Sequence, residues 1–559
     1  MDQSLPLTVL SLSISAALAA WLAPKARRRL QLSRAKHRSL TGHSRMAKRL
    51  ASWLPGYRLE EDAFFGADGA DAALQLQRRQ ALQRLSAHFR DTVPKGAAMT
   101  QEAKAYLADL EFTGRYRVPF QFTEVIGQAL STSSFVTRTQ GSVIEDVDGN
   151  AYLDVSGSYG VNVFGYDVYK ACIEEAVLRA GELGPVLGAY HPVVLENAQR
   201  LARISGLDQV SFHMSGTEAV MQAVRLARYH TGKRHLVRFC GAYHGWWEDV
   251  QPGPGNPLPP RETYTLQDMS ARSLDVLRSH RDIACVLINP LQALHPNSSA
   301  PGDSSLVDSS RRASYDRAAY TQWLQQVRQV CTERGIVLIF DEVFLGFRLA
   351  AGGAQEYFGV KADMVTYGKT LGGGLPVGVV CGRAALMKRF REDRPADICF
   401  ARGTFNAHPY VMGAMKAFLD RLQTPAVQAL YEGLDERWNH WAARFNERFE
   451  QEGLPVRVSQ MSSVWTVTYT KASRYNWMLQ FYLRAHGLAL SWVGTGRLIF
   501  SLNYRDEDLQ AVLEGFVSAS RQMQGDGWWW TDPATTNRSI RRGLLAEMFS
   551  RRREVQAAQ

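Results

Sequence analysis

Between Asp2 and Glu60 the sequence has no acidic residue, while eleven Lys or Arg stand between Lys25 and Arg58. Residues 1–58 carry nearly all of the net charge of +11: outside them, 54 basic residues face 53 acidic ones. A nucleic-acid enzyme spreads its charge across a working face. Here it is one tail, so no nucleic-acid partner is expected. Cysteine is also scarce. The six (Cys172, Cys240, Cys285, Cys331, Cys381, Cys399) form no C-x-x-C pair and have no histidine cluster nearby, which argues against a zinc site or a disulfide framework and for a reducing compartment. No internal repeat is visible. A glycine five residues before Gly368 is missing as well, since Asp363 stands there; Gly368-Lys369-Thr370 therefore fails the spacing of a P-loop.

Long apolar runs are few, and the one at the N-terminus matters. Leu5–Ala23 is uncharged and rich in Leu and Ala, just long enough to cross a hydrocarbon core as a helix. Its basic flank, Lys25 to Arg29, follows the run, whereas a secretory signal carries its charge before it. The positive-inside rule then predicts a single-pass anchor in the inner, cytoplasmic membrane with the enzyme facing the cytoplasm. The alternative is an amphipathic or buried helix, because Thr8, Ser11, Ser13 and Ser15 dilute the run. Residues 26–58 read as a basic helix on an anionic membrane surface, or as a solvated linker. At the other end, Trp528 to Trp530 precede a stretch with Ile540, Leu544, Leu545, Met548 and Phe549 on one face and six arginines around it; interfacial binding and docking on the body are both open.

At 559 residues the chain exceeds one ordinary domain. Its apolar share of 45% is that of a folded core. From about residue 111 short apolar runs (Leu236–Phe239, Ala284–Ile288, Val337–Phe340, Met364–Val365) alternate with helical patterns (Glu218–Tyr229, Tyr320–Glu333). That alternation predicts an α/β fold with a mostly parallel sheet. Helical sequence after residue 410, followed by β-rich pieces (Val464–Tyr469, Leu498–Leu502), predicts a smaller α+β domain. Gln251–Pro260, crowded with Pro and Gly, is a loop.

Three segments carry candidate chemistry. Lys369 lies between a strand and the triple glycine Gly372–Gly374, with open backbone around it. Asp341 and Glu342 end the apolar run 336–340, placing a carboxylate at the C-terminal edge of a strand, where ligands bind in open parallel sheets. A buried carboxylate there needs a positive partner, such as a protonated pyridine nitrogen. Ser215-Gly216-Thr217 open an amphipathic helix, offering hydroxyls and unpaired N–H groups to a phosphate, although a plain N-cap needs no more. Tyr243-His244-Gly245 follow the strand 236–239 and reach the same edge.

In this order and spacing the segments resemble the class III, fold-type I pyridoxal-phosphate aminotransferases, in texture glutamate-1-semialdehyde aminomutase and related enzymes of polyketide and lipopeptide assembly. The likeness runs from Asp146–Asn150 to about residue 505 and includes Gly346-Phe347-Arg348, Gly352–Gly359, Gly368–Gly378 and Gly403-Thr404-Phe405. It implies a large pyridoxal-phosphate domain (171–410) and a small domain contributed by 111–170 and 411–524. Before them lie the anchor (1–24) and the basic arm with a helical extension (25–110); the Trp/Arg-rich tail (525–559) follows. It further implies that Lys369 forms the Schiff base and shuttles the proton, and that Asp341 holds the pyridine nitrogen protonated. Val343 and Tyr243 would flank the ring, with His244 beside it. Ser215, Gly216 and Thr217 would hold the phosphate, Thr404 would reach the partner subunit's phosphate in a homodimer, and Tyr159 would face substrate. The expected reaction moves an amino group from a donor to an aldehyde or ketone, acyl-chain or carrier-bound acceptors included. An intramolecular aminomutase and a silent membrane scaffold are the alternatives. Asn289-Pro290, Gly165–Tyr169 and Asn406–Pro409 depart from the pattern near where substrate is chosen. No metal site is expected.

Overall fold

The runs Ile283–Ile288 and Val337–Phe340 contain no charged residue and are buried along their whole length. A strand of that kind belongs inside a sheet covered on both faces. A computed structural model of the chain, describing residues 5–38, 40–258, 262–294, 312–490 and 496–557, places them there. In chain order the strands are β1 (Val136–Gln140), β2 (Val143–Asp146), β3 (Ala151–Asp154), β4 (Gln209–His213), β5 (His235–Phe239), β6 (Thr263–Leu266) and β7 (Ile283–Ile288). They continue with β8 (Val337–Asp341), β9 (Met364–Gly368), β10 (Gly378–Gly382), β11 (Val456–Met461), β12 (Val464–Tyr469), β13 (Leu488–Ala489) and β14 (Arg497–Ile499).

The central sheet runs β4-β10-β9-β8-β7-β5-β6. Every pairing in it is parallel except those of β10, which is antiparallel to both β9 and β4. The connecting helices carry their own stop signals. Gly216–Thr231 starts on the Ser215 side chain and ends at Gly232 (φ 65°); Arg317–Arg334 starts on Asp316 and ends at Gly335 (φ 58°). Left-handed Gly at the C-terminus satisfies carbonyls that the helix itself leaves open. Two smaller sheets flank the centre. One is β1-β2-β3-β13, and the other β11-β12-β14 packs on the helix Leu434–Gln451. In its core Trp438 stacks on Phe500 at 5.4 Å, and Trp465 meets Phe500 edge-on.

The expected membrane anchor is overturned. A helix does form over Leu5–Arg34, but among the described residues no helix is long and apolar enough to cross a membrane. Residues 1–4 lie outside the described residues. The physical reason is in the composition: four hydroxyl residues dilute the apolar stretch, and the same helix continues through Pro24 into Arg27–Arg29. Its C-terminal end is tied to the body. Gln31 donates to the Asp275 carbonyl (3.2 Å) and accepts from Ser279 (3.1 Å), while Gln267 N–H bonds the carbonyl of the buried Ala35 (2.8 Å).

The aromatic tail docks on the body. Trp528 and Trp529 are buried, their indole N–H groups donating to Tyr482 (2.8 Å) and to the Asn476 side chain (2.9 Å). Trp528 lies 5.8 Å from Phe64 and 5.2 Å from Tyr475, so tail and N-terminal extension share one aromatic cluster. A buried Arg78–Asp68 pair (2.7 Å) and a bond from Arg78 Nε to the Gly527 carbonyl (3.0 Å) lock the helix Ala72–Thr92 against it. The helix Asn537–Ala557 follows. Its Glu547 pairs with Arg474 and accepts from the Tyr57 hydroxyl, while Leu545 and Phe549 stay exposed. Trp528→Ala is expected to lower the stability of the full chain by about 3–5 kcal/mol, the usual cost of truncating a buried large aromatic. Urea unfolding of variant and parent side by side checks this.

Candidate active site

The parallel strands deliver their C-terminal ends to one edge of the sheet, and the candidate residues meet there. Asp341 is the last residue of β8 and pairs in register with Thr366 of β9. Its buried carboxylate accepts from the Val343 N–H (3.2 Å) and the Thr366 hydroxyl (3.3 Å) on Oδ1, and lies 2.7 Å from His244 Nδ1 on Oδ2. A carboxylate can only accept, so Nδ1 carries the proton. Burial holds the His244 imidazole below its ordinary range, against the pull of Asp341 and with a smaller push from Arg238. The ring is therefore a neutral donor clamped on Asp341. Glu342 points elsewhere: it is buried, accepts from the N–H groups of Ala354 (2.6 Å) and Gln355 (3.3 Å), and burial pushes its carboxyl up to about 8.

Lys369 follows β9 directly. Its φ of 48° is left-handed, an uncommon setting for a residue with a side chain, and the kind that recurs at functional sites. The side chain passes 4.7 Å over the Phe344 ring, and Nζ donates to the Tyr159 carbonyl. Burial lowers the ammonium pKa to about 8; Arg348 and Arg497 add to this and Asp341 opposes it. The next residue, Thr370, is hydrogen-bonded to the buried Tyr169 hydroxyl (2.6 Å). Tyr159 itself sits in a turn with Ser158 at φ 44° and its own φ at 57°, its side chain 45% exposed.

On the other side, Ser215 caps the helix Gly216–Thr231 by accepting from the Glu218 N–H (3.2 Å). Gly216 is packed so closely that a Cβ would lie 2.6 Å from Val343 Cγ1. A Cβ on Gly378 would lie 1.9 Å from the Ser215 carbonyl, which is why β10 begins with glycine. Thr217 touches Gly245, so the helix start, the Tyr243–Gly245 loop and Val343 are in mutual contact. Tyr243 keeps 63% of its surface exposed, and its carbonyl accepts from Asn289 (3.3 Å). Lys369, Asp341, His244, Val343, Ser215, Gly216, Thr217 and Tyr243 are thus brought to one place. Thr404 is exposed and, among the described residues, shares no hydrogen bond with this cluster.

The sequence assigns no role to Thr366, Phe344, Tyr169 or Arg348, although Tyr169 and Arg348 stand in segments named above. Thr366 was within reach of the sequence reading, because alternation on β9 puts Thr366 on the same face as Gly368. Arg348 is fully buried, bonding Ser463 Oγ (2.9 Å) and the carbonyls of Phe500 (2.6 Å) and Asn162 (3.1 Å); this tether is non-local and leaves no local trace. The departures also acquire roles. Asn289 fastens the Tyr243 loop, and the Tyr166 hydroxyl donates to Asp154 (2.7 Å) and bonds Ser158 (2.7 Å) beneath Tyr159.

The sequence profile of the class-III aminotransferases matches residues 127–248 and 315–519. The chain belongs to that family. Glutamate-1-semialdehyde 2,1-aminomutase of Desulfotalea psychrophila is 35% identical over 357 residues, 60% of this chain and 76% of that protein. The enzyme of the same name from Geotalea daltonii is 31% identical over 61% of this chain and 78% of its own. Among solved structures, a β-phenylalanine aminotransferase from Variovorax paradoxus is similar at a TM-score of 0.65 and 25% identity, over 81% of this chain and 99% of that one.

As a class-III aminotransferase the chain is an enzyme that works with pyridoxal 5'-phosphate. The residues present fit that group. The helix start offers N–H groups and hydroxyls to a dianion, Gly216 packs on Val343 so tightly that no Cβ fits, and a buried carboxylate backed by a neutral histidine suits a protonated ring nitrogen. Only the free amine of Lys369 can capture an aldehyde, and with the pKa lowered the amine gains population as pH rises through about 8. Loading of cofactor-free enzyme should therefore speed up about fivefold from pH 7 to pH 8 and level off above about pH 9. Stopped-flow absorbance of the lysine-bound cofactor reads the profile, and a rate still rising at pH 10 would assign Lys369 an ordinary pKa.

Proposed function

We propose that this aminotransferase moves an amino group between a donor and a separate aldehyde or ketone acceptor, with Lys369 and Asp341 as its catalytic pair. The observation that carries the reading is their placement at the ends of adjoining strands, with Asp341 braced by His244, Thr366 and the Val343 N–H. Pyridoxal phosphate, when bound, supplies the electron sink that stabilises a carbanion at the substrate Cα. Asp341 keeps a negative charge facing the ring nitrogen, and His244 fixes its orientation. Lys369 carries the cofactor and, once released, takes the Cα proton and returns it. A lowered ammonium pKa serves both tasks, since the amine is a base at working pH. Val343 and Tyr243 would flank the ring, and Ser215, Gly216 and Thr217 would hold the phosphate.

A homodimer completes the proposal. Thr404 is exposed, and its neighbours Ile398 (57%), Phe400 (73%) and Phe405 (48%) are large apolar side chains left to solvent. Exposed apolar surface of that kind marks a contact face, and closed two-fold dimers are the commonest assembly. Thr404 would reach the partner subunit's phosphate. The names of the curated relatives favour a second reading, an intramolecular aminomutase. Product stoichiometry separates the two: transfer yields one keto product from the donor for each acceptor aminated, and a mutase yields none.

Lys369→Ala should abolish turnover in a folded protein, and Asp341→Asn should cost about 10²–10³ in kcat, the loss typical of removing one preorganised electrostatic partner. Steady-state kinetics beside circular dichroism checks both; full activity in Lys369→Ala ends the assignment. Mixing Lys369→Ala subunits with Thr404→Asp subunits should recover about a quarter of wild-type activity, since half the dimers are mixed and each repairs one site. No recovery in verified mixed dimers would mean that each site is built from one chain.

A further inference from the structure

We propose that Arg238 is a positioning residue for Asp341: acting through His244, it keeps that imidazole neutral, with its one proton on the nitrogen that faces the carboxylate. The proposal rests on the role given to Asp341 above.

The geometry begins on β5. Arg238 is buried there, in register with Thr265 of β6 on one side and Leu287 of β7 on the other. The segment that follows β5 turns at Gly241 (φ 85°) and Gly245 (φ 93°) and carries Tyr243 and His244. The Arg238 guanidinium reaches across this segment and holds both of its ends. Nη2 donates to the Ala242 carbonyl (2.7 Å), two residues before His244, and Nη1 donates to the Val250 carbonyl. A planar fork of fixed shape suits that task, because each arm takes one carbonyl. Its partners are neutral. Burial pulls the guanidinium down to about 10, and among the described residues the group that opposes this is the Cys240 thiol, not a carboxylate. The positive charge is left to act on the imidazole that the same segment carries.

The two nitrogens of the buried His244 ring have unlike surroundings. Nδ1 lies 2.7 Å from Asp341 Oδ2, while Nε2 has no hydrogen-bond partner among the described residues. A second proton, on Nε2, would put an unpaired charged donor in the interior near a guanidinium, and both burial and like charge oppose that. Asp341 from β8 favours the imidazolium; Arg238 from β5 adds to the burial that disfavours it. Asp341 in turn acts on Glu342, on Lys369 at the end of β9 and on the Tyr243 hydroxyl. An imidazolium beside Asp341 would cancel the carboxylate's charge, and the cofactor's ring nitrogen would lose its counter-charge. Arg238 preserves that negative charge by keeping a proton off its neighbour.

The first test uses cofactor-free enzyme and needs no turnover. In protein labelled with 15N-histidine, the His244 ring signals are assigned by their loss in His244→Asn. In the parent they should show one bare and one protonated nitrogen from about pH 8 down to about pH 5.5. In Arg238→Gln, which keeps a donor for a carbonyl and loses the charge, the ring should take up its second proton within that range. Arg238→Lys, which keeps the charge, should follow the parent. Arg238→Met takes the place of Arg238→Gln should that variant not fold. An imidazole that stays neutral in the uncharged variants, or one already doubly protonated in the parent, overturns the proposal.

In holoenzyme, Arg238→Gln should lose kcat toward acid pH, about tenfold for each pH unit below the new His244 midpoint, with the donor KM unchanged. Arg238→Lys should keep the parent's profile. A segment merely loosened would weaken cofactor binding in both variants and leave the shape of the profile as it was, and that result also overturns the proposal. Bleaching of the lysine-bound cofactor's long-wavelength absorbance by an amino donor tests the transfer reading separately. Bleaching with an unmoved His244 would defeat this inference and leave that reading standing.

Discussion

Everything at the sheet edge is arranged around one buried negative charge. Asp341 closes a strand whose other residues are all apolar and buried, and an ion in such a place costs several kcal/mol unless it is hydrogen-bonded and paired. Thr366, the Val343 N–H and His244 provide the hydrogen bonds. None of them carries a positive charge, because burial keeps His244 neutral. The arrangement is thus satisfied for hydrogen bonds and still short of a cation. That is the condition in which a protonated ring nitrogen would bring stabilisation of its own.

Keeping that charge in place dictates how closely its surroundings pack. Gly216 against Val343, Gly378 against the Ser215 carbonyl and Gly245 against Thr217 leave no room for a Cβ. These contacts hold the start of the phosphate-side helix at fixed distance from Asp341. On the lysine side the tether is charged. Arg348 joins the Gly160–Asn162 segment to Ser463 and Phe500, and its proximity adds to the burial that lowers the Lys369 pKa. One buried guanidinium therefore couples the packing of these segments to the basicity of Lys369.

The appendages are held by the same kind of physics. Trp528, Trp529, Phe64, Phe122 and Tyr475 bury one another, with each indole N–H paired. This cluster fixes the helix Ala72–Thr92, which in turn supplies Phe89 and Val93 to a cavity lined also by Ser158. Residues ahead of the family match thus become part of a cavity wall beside the Tyr159 turn.

The sequence by itself determined the α/β class, the family and the residues that line the sheet edge, because those depend on local features: apolar runs of strand length, a capped amphipathic helix, a lysine before a glycine turn. It also limited the N-terminal stretch, whose serines and threonine dilute an apolar run of spanning length. Tertiary structure decided what local pattern cannot encode. The Trp pair faces inward because Tyr482 and Asn476 accept its N–H groups, Glu342 turns away from the site because a helix start needs its carboxylate, and Tyr166 braces Tyr159 through Asp154. Each of these is a contact between residues far apart in the chain or on different elements. Its partner is chosen by how the layers pack, and only the folded arrangement brings the two together.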